Sequence, residues 1–180
     1  MKVRRAFPED AGQAEKLFER AFSTFLAPVY DEAALAAALP YLTKPNSELL
    51  SCGTYYVAEE ESSGRILGTG GWTRERPGTK EIISGMAHLR HFATDPAAAG
   101  RGVGRSIFWE CALNAERAGT KTFQVYSSLN AVSFYKRLGL VPVRWTELSL
   151  GPTVSLPVVV MQGPIRNGPD GSAEAISARS

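Results

Sequence analysis

Residues 86–109 read MAHLRHFATDPAAAGRGVGRSIFW, and no other stretch narrows the possible folds as much. Residues 88–94 predict a strand. Asp95-Pro96 stops it, because proline donates no backbone N–H and pushes its predecessor out of the helical region. Gly100 to Arg105 then opens a helix expected to run to Gly119. A glycine-rich turn entering a helix leaves several amides unpaired at the positive end of the helix dipole. That is an anion site built from backbone, which an anion can approach because glycine carries no Cβ. Arg101 and Arg105 add charge beside it.

Two familiar phosphate loops do not fit. A P-loop needs Lys-Ser or Lys-Thr after its last glycine, and none follows Gly104. A dinucleotide fingerprint is G-x-G-x-x-G near the start of a βαβ unit. Here the spacing is G-x-G-x-G, past mid-chain. A plain glycine-rich connection stays open until the later segments are read.

At 180 residues the chain suits one domain with a substantial core. Hydrophobic content of 44% and a net charge of +2 are ordinary and too mild to argue for nucleic acid. Cys52 and Cys111 lack metal-site spacing, so reduced thiols and no metal are expected. No apolar run is long enough to span a membrane, and no signal peptide is visible, which favours a cytoplasmic protein.

In chain order, residues 2–6 predict a first strand. Pro8-Glu9-Asp10 starts a helix whose Ala14, Leu17, Phe18, Ala21, Phe22 and Phe25 form one apolar face. Asp31 caps a second helix. Residues 54–59 and 65–73 predict a hairpin, in which glycines 68, 70 and 71 suggest a bulge or a close approach. Residues 74–85 form a polar loop. After the central strand and helix, residues 122–126 predict a strand parallel to it. A short helix over 131–138 follows, then strands over 143–150 and 154–161. Residues 1–166 make the domain, and 167–180, rich in Gly, Ser and Ala, read as a flexible tail.

The strand, the loop AGRGVGR, a helix, a strand and then NAVSFYKRLGL resemble the GNAT superfamily of N-acetyltransferases. The pairing is specific: a Gly-rich loop, then N-x-x-x-F-Y-x-x-x-G-L starting 26 to 28 residues later. Ala99 departs from the family's usual Gln or Arg. The resemblance implies an α/β (α+β) fold: a mixed, mostly antiparallel sheet of about seven strands with helices on both faces. Its central parallel pair splays, and acetyl-CoA, the acyl donor, sits in the gap. It implies that Phe92, Ala93 and Thr94 meet the pantetheine. Gly100, Arg101, Gly102, Val103, Gly104, Arg105 and Ser106 would cradle the diphosphate, Asn130 would touch the arm, and Tyr135 would stand near the sulfur. It further implies a homodimer as a common state.

Acetyl transfer to an amine has three demands. The thioester oxygen gains charge and needs a fixed donor, for which an amide at a bulge near Ala93 is the expected source, worth about 3 kcal/mol. The departing thiolate needs a proton, and Tyr135 is the expected acid. An alkylamine near pKa 10.4 must lose a proton, which costs roughly 4.6 kcal/mol at pH 7. His88 is the expected base, with His91, Glu81 or a water chain as alternatives. Lys136 and Arg137 are further candidates for phosphate contact. Phe25, Tyr30 and Tyr41 are candidates to line the acceptor pocket. The expected acceptor is a small-molecule amine. A protein or peptide amine, or a non-catalytic acyl-CoA sensor, are the alternatives.

Overall fold

A computed structural model describes residues 1–166. The expected tail, 167–180, lies outside the described residues. The strands are β1 (Lys2–Arg5), β2 (Tyr55–Glu59), β3 (Ile66–Thr73), β4 (Met86–Thr94), β5 (Thr122–Ser127), β6 (Val141–Ser149) and β7 (Ser155–Pro164). The helices are α1 (Ala11–Leu26), α2 (Glu32–Leu42), α3 (Ser47–Ser51), α4 (Val103–Arg117) and α5 (Val132–Arg137). The seven strands form one sheet in the order β1-β2-β3-β4-β5-β7-β6. Every pairing is antiparallel except β4 with β5. The expected fold class is therefore the observed one. No helix among the described residues is long and apolar enough to cross a membrane.

Strand alternation builds two cores, one on each face of the sheet. On β2, Tyr56 and Ala58 join the core beneath α4, while Tyr55 and Val57 join the core beneath α1. That explains why this strand is apolar at consecutive positions rather than at every second one. One face of α4 packs inward: Val103, Ile107, Phe108, Cys111 and Ala115 are all buried. Leu17, Phe18 and Ala21 do the same for α1. Cys52 and Cys111 are free.

The helix starts follow capping chemistry. Asp31 accepts from the Ala34 amide at the start of α2, as expected. Asn46 accepts from the amides of Glu48 and Leu49 and so starts α3, an element the sequence reading missed. Five residues carry too little periodicity to register as a helix. Two expected single helices are divided. A 3-10 turn, Pro8–Asp10, precedes α1, and another, Leu129–Ala131, precedes α5. The closing strands are β6 and β7, with β7 inserted between β5 and β6, so β6 is an edge strand.

The three glycines of β3 are close approaches. A Cβ on Gly70 would lie 2.7 Å from the Phe92 ring, and one on Gly71 would lie 2.6 Å from the Thr54 carbonyl oxygen. A Cβ on Gly68 would collide with Cγ1 of Val103 and stand 3.0 Å from the Ala93 oxygen. The bare backbone at Gly68 thus sets how near the start of α4 comes to the sheet. Gly68→Ala is expected to lower unfolding stability by about 2 kcal/mol through overpacking. Adding Val103→Ala should restore part of that loss, measured as a double-mutant cycle in urea.

Candidate functional site

The end of β4 is fixed by a buried carboxylate. Asp95 accepts from the Ala97 amide at 2.9 Å and pairs with Arg20 at 2.8 Å and Arg65 at 3.1 Å. Burial alone would raise its pKa, but the Ala97 and Arg20 hydrogen bonds outweigh it and hold the carboxyl below its usual range. The short turn Pro96–Ala98 is pinned by this group, and the glycine loop springs from it. Gly100 and Gly102 adopt φ of +77° and +79°, a left-handed conformation that suits glycine. The Ser106 amide donates to the Gly102 carbonyl at 2.9 Å. The amides of Val103, Gly104 and Arg105, which precede it on α4, are left without helical partners. A Cβ on Gly104 would come within 3.2 Å of the Phe134 ring, so this glycine lets α5 close over the helix start.

Beside the loop the sheet opens. The parallel pair β4–β5 is joined at only three positions, Met86 with Thr122, Ala87 with Phe123 and His88 with Gln124. Beyond them the strands part, and the gap is a cleft of about 1220 Å³ that runs through the sheet. A bulge shapes its wall. On β3, Thr69 pairs with Ala93 and Gly71 with Arg90, so His91 and Phe92 together oppose Gly70. His91 has φ of +48°, unusual for a residue with a side chain. Asp95 donates its amide to the Leu67 carbonyl on the β3 side. By alternation the Ala93 amide also turns toward β3, and that of Thr94 turns toward the gap. The sequence expectation is a donor at a bulge near Ala93, and on this stretch the amide that turns toward the gap is that of the next residue, Thr94.

The ionisable groups divide between the cleft and the interior. Tyr135, 4% exposed, borders the cleft, and burial holds its phenol well above the usual tyrosine range. His91 also borders the cleft, wedged edge-on against Phe18 and Phe22 of α1. Its Nε2 lies 3.0 Å from the Leu42 carbonyl oxygen. A carbonyl only accepts, so Nε2 carries the proton and Nδ1 is left as a bare acceptor. His88 is 1% exposed and does not border the cleft. Neither of its ring nitrogens has a hydrogen-bond partner, and neither does Oε1 of neighbouring Gln124. Burial, then the charges of Arg76 and Arg90, push His88 down to about 4, against a weak opposing pull from Gln124. Burial brings His91 to about 4 as well.

Most of the residues expected from the sequence converge. Phe92, Ala93, Thr94, Gly100, Gly102, Val103, Gly104, Arg105, Asn130 and Tyr135 all border the one cleft. Arg101 and Ser106 do not. The Arg101 amide is spent on the Ala98 carbonyl, 3.3 Å away, and that of Ser106 on Gly102. Lys136 lies off the cleft, whereas Arg137 borders it. Glu81 also lies off it, paired with Arg76 at 2.6 Å. Phe25, Tyr30 and Tyr41 border the cleft, but Tyr30 is committed to structure: its hydroxyl donates to the Pro157 carbonyl and accepts from the Leu129 amide. The sequence reading missed Arg90, whose signal was only its position between two histidines on the central strand. No cluster of His, Cys, Asp or Glu among the described residues is arranged to hold a metal.

Residues 51–141 match the family model of the acetyltransferase (GNAT) domain. No curated protein matches the chain by sequence. Several solved structures share the fold. A GCN5-related N-acetyltransferase from Rhodopseudomonas palustris aligns with TM-score 0.71 and 20% identity over 91% of this chain and 94% of its own. The PaiA N-acetyltransferase from Thermoplasma acidophilum, solved with coenzyme A, aligns at 0.67 and 16% identity over 91% and 98%. The ribosomal-protein-S18-alanine N-acetyltransferase from Escherichia coli aligns at 0.59 and 17% identity over 91% and 93%.

Two outcomes are expected. Gly102→Ala strains a left-handed position by about 1 kcal/mol and narrows the anion site. Isothermal titration should show weaker binding of coenzyme A, with a small drop in Tm. Separately, His88 and His91 titrate near 4 when folded and near 6.5 when unfolded, so the unfolded chain binds protons first as pH falls. Their contribution is full above pH 6.5 and is lost as pH falls toward 4. Urea midpoints should therefore decline over that window, and His88→Gln should flatten the decline.

Proposed function

Because the chain belongs to the acetyltransferase (GNAT) family, an acyltransferase family, we propose that its cleft takes acetyl-CoA and passes the acetyl group to the primary amine of a small molecule. One observation carries this reading. One continuous cleft is bordered by the start of α4, where the amides of Val103, Gly104 and Arg105 lack helical partners, by Tyr135, and by His91 and Arg90. The amides and Arg105 suit the diphosphate of a coenzyme. The parted edge of β4 suits an extended arm that hydrogen-bonds as a strand would. The aromatic and aliphatic lining beyond it, with Phe25 and Tyr41, suits a compact acceptor rather than a broad surface.

The chemistry follows from the groups present. The amine nitrogen attacks the thioester carbon, a C–N bond forms and the C–S bond breaks. Once the C–N bond forms, the nitrogen becomes far more acidic than the free ammonium, so a weak base suffices to take its proton. The bare Nδ1 of His91 is neutral throughout the neutral range and stands ready as that acceptor. His88, buried and off the cleft, has no direct line to the acceptor, so a role for it in this reading needs a water chain. The thiolate takes its proton from Tyr135, whose raised pKa keeps the phenol fully protonated. The proton lost by nitrogen thus balances the one gained by sulfur.

An amine panel with acetyl-CoA, read as free thiol release, tests the activity. Thiol release with no amine in the panel would sink the transfer reading. Tyr135→Phe is expected to lower kcat by about 100-fold while leaving the dissociation constant for acetyl-CoA unchanged. A non-catalytic sensor would show no difference between the two proteins.

A further inference from the structure

Among the described residues three arginines border the cleft, Arg90, Arg105 and Arg137, and no aspartate or glutamate does. Arg105 stands at the start of α4 and Arg137 at the end of α5, on the coenzyme side. Arg90 is different. It lies on β4, next to His91, at the end of the cleft bordered by Leu42, Asn46, Pro77 and Gly78. Its guanidinium is partly buried, and burial depresses its pKa. Its Nη1 donates to Oγ1 of Thr73 at 3.0 Å, and it makes no ion pair among the described residues. Glu48 and Glu75 are close enough to act on its charge but beyond ion-pair distance, and neither borders the cleft.

A desolvated guanidinium with most of its five donors unused is an unfilled half of a charge pair. Its planar fork matches a carboxylate, with two parallel hydrogen bonds. A polycationic acceptor finds the reverse of what it needs here, since no carboxylate is present to bind its second charge and a fixed cation repels it. Consecutive strand residues would ordinarily face opposite ways, but the bulge at His91 breaks that alternation and both Arg90 and His91 border the cleft. The remaining wall, with Phe22, Phe25, Tyr41 and Leu42, is apolar and aromatic.

Resting on the acetyl-transfer reading, we propose that the acceptor is an α-amino acid with an apolar or aromatic side chain, whose carboxylate is held by Arg90 while its amine faces His91. Arg90 is then the specificity-determining residue of the acceptor site. The amino acid must be in its amine form to react, so the neighbouring cation also helps: it favours loss of the ammonium proton.

The experiment uses the full chain with acetyl-CoA and matched acceptors: L-phenylalanine against 2-phenylethylamine, L-leucine against 3-methylbutylamine, and spermidine. Free thiol release gives kcat and KM for each. The amino acid of each pair is expected to exceed its decarboxylated partner at least tenfold in kcat/KM, with spermidine poorest. Arg90→Gln should remove that preference mainly by raising KM for the amino acids, and Arg90→Lys should keep part of it. Calorimetric binding of acetyl-CoA and a thermal melt check that both variants are folded. Decarboxylated amines or spermidine used as well as the amino acids would overturn the proposal, as would an unchanged ratio in a folded Arg90→Gln protein. If acetyl-CoA binds but no acceptor releases thiol, the acetyl-transfer reading fails and this inference falls with it. Turnover of the wrong amines defeats this inference alone.

Discussion

Two parallel strands that begin as a pair and then separate create the cleft around which the rest of this molecule is arranged. Three residues of β4 are in register with β5, and then β4 continues against β3 alone. Meanwhile β5 is held along its full length by β7. Each strand is thus anchored on its outer side and freed on its inner side. A freed strand edge is usually a liability, because unpaired amides and carbonyls invite association. Here the edge lies inside the domain, where it forms a wall of the cleft.

The separation is maintained by packing on both faces. Phe92 and Tyr135 meet edge-on across the opening, with ring centroids 6.2 Å apart. On the opposite face, the His91 ring is held by two phenylalanines of α1 and by the carbonyl at the end of α2. The bulge at His91 therefore joins a backbone irregularity to a contact that fixes both helices against the sheet. Bulges commonly re-aim side chains beside active sites. Here the result is that the His91 ring borders the cleft while its Nε2 is tied to the Leu42 carbonyl.

Charge is distributed in the same economical way. The carboxylates that fix the scaffold are already paired: Asp10 with Arg4, and Asp95 with Arg20 and Arg65. Three arginines that make no ion pair among the described residues, Arg90, Arg105 and Arg137, border the cleft. Buried groups without partners accumulate along β4 and β5 instead, at His88 and Gln124. A neutral imidazole beside two arginines keeps this part of the interior from carrying a third positive charge.

The sequence determined the order of the elements apart from α3, the glycine turn at the start of α4 and the helix that carries Tyr135. All three depend on local rules: proline and glycine punctuation, helical periodicity and two motifs at a fixed separation. It also anticipated close packing at Gly68, Gly70 and Gly71, though not which atoms approach. Only the tertiary structure decided which histidine meets the cleft. His88 and His91 lie three residues apart, and strict alternation would put them on opposite faces; the bulge cancels that parity. Nor could the chain alone single out Arg90, since an arginine in a strand is ordinary until its surroundings are known to leave it without an ion pair. Local spacing fixes backbone direction, whereas burial and pairing depend on residues brought together from distant parts of the chain.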